Sequence, residues 1–144
     1  MDQANVQKRL RIIGPLLYVL FLAASAREAW TAPDFIKPVV GVFGQAPLGL
    51  PAPLFGWLLM VIGTLPLFVF LWHLMQLVLA TSAIDGQPIQ VRGITGVARL
   101  FGRAFHLRGQ DAQLARHFKL ALAAFSVFVA LMIAWIAATE RAGV

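Results

Sequence analysis

Three apolar stretches dominate this chain: Ile12 to about Trp30, Leu54–Ala80 and Leu120–Ala138. A helix rising 1.5 Å per residue needs ~20 residues to cross a hydrocarbon layer ~30 Å thick, and each stretch is about that long or longer. The second and third contain no Asp, Glu, Lys or Arg. A soluble helix buries only a stripe of its surface and keeps charges on the rest, so runs of this kind point to lipid. The pattern predicts an all-α membrane protein with three transmembrane helices, spanning about 12–30, 54–80 and 120–138.

Charged residues make up 12% of the 144-residue sequence, against about 25% in an ordinary soluble domain. Three spans, an outer loop over 31–53 and a cytoplasmic loop over 81–119 use up its length, so 1–144 reads as a single membrane domain. The sequence has no cysteine, which excludes disulfides, thiolate catalysis and thiolate metal sites.

The net charge of +6 is unevenly placed. Nine of the twelve cations are Lys8, Arg9 and Arg11 before the first span and Arg92, Arg99, Arg103, Arg108, Arg116 and Lys119 between the second and third. Arg27, Lys37 and Arg141 fall on the other side, beside Glu28, Asp34 and Glu140. Lys and Arg near span ends stay inside, so the N-terminus is expected in the cytoplasm and the C-terminus in the periplasm of a bacterial inner membrane. The bacterial assignment rests on a signal-like N-terminus and a composition rich in Ala, Gly and Arg.

Two readings of that N-terminus compete. Lys8–Arg11, the short apolar run Ile12–Leu22 and Ala24-Ser25-Ala26 have the layout of a cleavable secretory signal. In the favoured reading the helix is retained and continues through Arg27 and Glu28, with Arg27 snorkelling to water and Trp30 at the headgroups. Gly14-Pro15 then falls near the helix start, where a missing N–H is tolerated.

The outer connection holds five prolines (33, 38, 47, 51 and 53) yet is apolar, with Phe35, Ile36, Val39, Val40, Val42, Phe43, Leu48 and Leu50. It is expected either to pack on the membrane surface or to form a patch for a partner protein. The second span exceeds the membrane thickness and is expected to tilt, kink or project. Pro66 supplies the cause of a kink, and Thr64 is placed to satisfy what it frees. Asp111 is a candidate N-cap for the third helix. Ala130, Ala134 and Ala138 form a small-xxx-small face suited to close helix approach.

Arg92–Arg108 has helical spacing. At ~100° per residue, Arg92, Arg99, Arg103 and His106 share one sector, opposite Ile94, Val97, Ala98, Phe101 and Phe105. This predicts a basic amphipathic interfacial helix between spans two and three, with Phe101 and Phe105 among acyl chains and Arg92, Arg99 and Arg103 at anionic headgroups. The competing view is a plain cationic loop that only sets topology. Gly93, Gly96 and Gly102 weaken such a helix by ~1 kcal/mol each, so its order is expected to come from contact. Nucleic acid is not the expected partner, since the tether and spacing favour lipid.

An ionisable side chain within a span is a functional candidate, which singles out His73 and, one turn on, Gln76. They are the candidate cofactor contacts, for haem or a quinone; the blander alternative is a neutral histidine satisfied inside the bundle. A bis-histidine haem would have to pair His73 with His117. Reckoned from Ala80, His73 falls ~10 Å inside the boundary where His117 sits, an offset that disfavours the pair. No phosphate loop, zinc-protease or serine-hydrolase motif is present, and the carboxylates are too scattered for acid–base work. The expected function is a non-catalytic accessory or assembly subunit of a larger membrane complex, contacting lipids and other subunits. The alternatives are a haem- or quinone-contacting anchor and a small transporter or channel component.

Overall fold

The computed structural model describes residues 3–31, 42, 49–86 and 91–142, and these are helical apart from short connections. Four helices follow one another: α1 (Gln3–Thr31), α2 (Ala52–Asp85), α3 (Gly93–Leu107) and α4 (Ala112–Ala142). Three of them, in α1, α2 and α4, are long and apolar enough to cross a membrane, the architecture of a multi-pass membrane protein. Most of the outer connection, with the expected partner patch on Phe35, Ile36, Val39, Val40, Phe43 and Leu48, lies outside the described residues.

Each long helix overruns its apolar stretch. α1 starts at Gln3, because Gln, Ala, Lys, Arg and Leu before Ile12 are good helix formers. Pro15 is therefore in the helix interior and not near its start, where it removes a donor to the Arg11 carbonyl. The helix runs on through Ala24-Ser25-Ala26, Arg27 and Glu28. α2 continues past Ala80 to Asp85, since its terminal hydroxyls are satisfied within the helix: Thr81 Oγ1 donates to the Leu77 carbonyl at 2.6 Å and Ser82 Oγ to Val78 at 2.7 Å. It ends at Gly86, whose φ of +67° suits glycine and whose N–H reaches the Ser82 carbonyl at 3.0 Å. Thr64 Oγ1 donates to the Met60 carbonyl at 2.8 Å, so it does not replace the donor that Pro66 denies to Ile62. α4 begins at Ala112 because Asp111 caps it: Asp111 Oδ1 accepts the Gln113 N–H at 2.6 Å and the Leu114 N–H at 3.4 Å.

The chain packs as two units, 1–65 with 130–144, and 66–129. In the second, Leu77 of α2, Leu100 and Ala104 of α3, and Leu114 and Ala121 of α4 form a fully buried cluster. Phe70, Val78, Ile84, Phe101 and Phe118 pack around it. Gly96, Leu100 and Ala104, at four-residue spacing, are the buried line of α3. In the first unit the Trp57 indole N–H of α2 meets α1, at 3.1 Å from the Leu22 carbonyl and 3.3 Å from Ser25 Oγ. Ser25 and Ala29 are the buried side chains described on α1, while Leu17 and Leu20 keep 58% of their surface exposed.

Candidate functional site

His73 lies on the line of α2 that carries Phe70 one turn before it and Leu77 one turn after it. His117 lies between Leu114 and Ala121 on α4 in the same way. Because Leu77, Leu114 and Ala121 belong to the buried cluster, helical periodicity puts both histidines in the seam between α2 and α4. The two rings meet there: Nδ1 of His73 is 2.9 Å from Nδ1 of His117, with ring centroids 5.1 Å apart. A layer of aromatic packing follows, one turn along α2 and about two turns along α4, where Phe70 and Phe125 are 5.1 Å apart. Residue numbers rise on one helix as they fall on the other, as antiparallel neighbours require.

This contact corrects the ~10 Å offset expected between the two histidines. Reckoning depth from Ala80 takes α2 and α4 to end level with one another, but Leu77 and residues after it on α2 are covered by α3 and α4. His73 stands 12 residues before the end of α2 and His117 five residues after the start of α4. α2 thus projects beyond α4 by roughly 10 Å at this end.

At 2.9 Å the two Nδ1 atoms are at hydrogen-bond distance. One ring donates Nδ1–H and the other offers its Nδ1 lone pair, so the neutral pair combines two different tautomers. A metal held in line between them at ~2 Å from each nitrogen would need a separation of ~4 Å. The pair as placed does not fit an axial bis-histidine site. Among the described residues no group of three or more His, Asp or Glu side chains converges to hold a metal ion. Gln76, on the next turn, is 5% exposed, and its amide nitrogen has no acceptor among the described residues.

The residues expected at the lipid surface divide. Arg92 and Arg99 are exposed, Ile94 is 89% exposed and Phe105 is exposed. Arg103 is half-buried and its Nε forms an ion pair with Asp85, tying α3 to the end of α2. Phe101 turns to the helices, its ring 6.3 Å from Phe70 and 5.6 Å from Phe118. The Arg108 guanidinium stands 3.8 Å over the Phe105 ring. Sequence reasoning missed the Asp85–Arg103 pair. Its signal was an aspartate at the end of an apolar run, which needs a cation once α2 is carried past Ala80. Compared with protein-family models, curated proteins and solved structures, the chain matches none.

Proposed function

We propose that this chain is a non-catalytic accessory or assembly subunit of a larger complex in a bacterial inner membrane, with its N-terminus in the cytoplasm and its C-terminus in the periplasm. The orientation is supported by the nine cations gathered before the first span and between the second and third. The inner edge of the hydrocarbon layer is set at the His73–His117 level, where Arg116 and Lys119 are exposed. Leu54–His73 and Leu120–Thr139 are then the crossing segments of α2 and α4, each ~30 Å long. On the cytoplasmic side α3 lies in the interface, with Arg92, Arg99 and Arg108 toward anionic headgroups at about 1 kcal/mol each and Ile94 and Phe105 toward acyl chains.

The observation that carries the subunit reading is on α4. Ala121 and Ala124 are buried by the chain itself, whereas Ala130 and Ala134 on the outer half stay exposed. In lipid, helices associate through close approach at small residues rather than through burial of large ones, and an uncovered alanine face at four-residue spacing suits a helix from another subunit. Ala130→Leu with Ala134→Leu tests it. Partner proteins that co-purify with the wild type after mild solubilisation are expected to be lost from the double variant while the chain still folds. Equal recovery of partners with both chains would contradict the reading.

A second reading, a membrane anchor contacting a quinone, has one observation in its favour. The buried Gln76 amide nitrogen would donate to a quinone carbonyl, with His73 one turn away. Quinone bound to the purified wild type and lost from Gln76→Leu would support it, and equal quinone content in both would exclude it.

A further inference from the structure

We propose that Ala24-Ser25-Ala26 is a cryptic processing site for the peptidase that removes secretory signals, and that the Trp57 contact between α2 and α1 keeps it closed. Opening it exposes the Ala26–Arg27 bond to hydrolysis: water adds across the amide, leaving a carboxylate on Ala26 and an ammonium on Arg27. The inference rests on the proposed orientation, which puts this end of α1 on the periplasmic side. Lys8–Arg11, the apolar run Ile12–Leu22 and the A-x-A triplet before Arg27 meet the sequence requirements of such a site.

The backbone does not meet them. The triplet is read as two small side chains at alternate positions, and in an extended strand Ala24 and Ala26 point to the same side. In α1, helical from Gln3 to Thr31, the same two residues stand ~200° apart around the axis. Presenting both to an enzyme requires this part of α1 to unwind.

Contacts with α2 oppose that unwinding. Ser25 and Ala29, one turn apart, are buried, whereas Ala24, Arg27 and Glu28 are exposed. The middle residue of the triplet is thus the one held down. The Trp57 indole N–H reaches the Leu22 carbonyl at 3.1 Å and Ser25 Oγ at 3.3 Å, and Ser25 Oγ itself donates to the Leu22 carbonyl at 2.9 Å. This triangle ties the turn before the scissile bond to α2. Trp57 follows Ser25 by 32 positions, so at ~5–20 residues per second of synthesis the latch emerges roughly 2–6 s after the triplet. Docking and cleavage compete while the chain inserts.

Pulse–chase of the full chain, tagged at its C-terminus, in a bacterial host tests this. The wild type is expected to yield little product. A transiently opened site is cut in proportion to its open population, so Trp57→Phe, which loses the donor and keeps an aromatic ring, should be cut about fivefold faster than wild type. Trp57→Ala should be cut faster still. In both, mass spectrometry should show a product beginning at Arg27, and adding Ala26→Gln should abolish it by enlarging a position that takes a small residue. Trp57 variants as intact as the wild type, a wild type cut as fast as they are, or a product that survives Ala26→Gln would overturn the proposal. A Glu28→Cys variant treated with a membrane-impermeant maleimide tells the two layers apart. Labelling from the periplasmic side with no cleavage of the Trp57 variants refutes the latch alone; labelling from the cytoplasmic side only refutes the orientation and the processing site with it.

Discussion

Leu77, Leu100 and Leu114 have no exposed surface, whereas Leu17 and Leu20 of α1 keep more than half of theirs. All five are leucines in helices of one membrane chain, so residue type does not set the difference. In 66–129 a short extra helix, α3, closes over the ends of α2 and α4, and three elements supply enough surface to enclose a core. In the unit that holds α1, contact is made through small or specific groups: Ser25, Ala29 and the Trp57 indole. The lesson is that this chain has two stabilising regimes. One is a packed core of the kind found in water-soluble domains; the other is helices whose large side chains are left to lipid.

Substitutions sharpen the contrast. Leu100→Ala is expected to destabilise residues 66–129 by ~2–5 kcal/mol, since it empties a fully enclosed site, read as loss of amide-exchange protection in α3. Arg103→Ala leaves Asp85 without its cation and is expected to loosen α3 by ~1 kcal/mol, between the values for exposed and buried pairs. Arg103→Lys should retain part of that, and equal exchange in both variants would mean the ion pair contributes nothing. Asp111→Ala should cost ~1 kcal/mol and fray the first turn of α4, with Asp111→Asn recovering most of it. Trp57→Phe removes the indole donor shared by Leu22 and Ser25, and about 1 kcal/mol is expected to be lost from α1 contacts alone. At the bottom of the scale, Leu20→Ala should change stability in lipid by under ~0.5 kcal/mol. A Leu20→Ala effect as large as that of Leu100→Ala would erase the distinction between the regions.

The parts legible in the sequence were those governed by a local rule. Apolar length marked three helices, Asp111 marked a start through its side-chain oxygen, and the spacing of residues 92–108 marked a helix that the structure places at Gly93–Leu107. The parts that were not legible depend on which surroundings an apolar residue meets. Hydropathy cannot separate a leucine facing lipid from one facing α3, and a depth reckoned from Ala80 set His73 a full ~10 Å from its partner. The hydroxyls of Thr81 and Ser82 do not end the helix, because each is satisfied by a carbonyl one turn back. Phe101 was assigned to acyl chains on helical angle alone, and the apolar sector of α3 proved wide enough to serve two neighbours.

The absence of cysteine gives a clean background for the most direct test. Single cysteines placed along α1, α2 and α4 in membranes are treated with a water-soluble maleimide that does not cross the bilayer. The account predicts a block of ~20 protected positions in each helix, ending on α2 near His73, with exposed positions such as Met75 and Ala83 labelled from the cytoplasmic side. Labelling through the middle of any of the three helices, from either side, would contradict it.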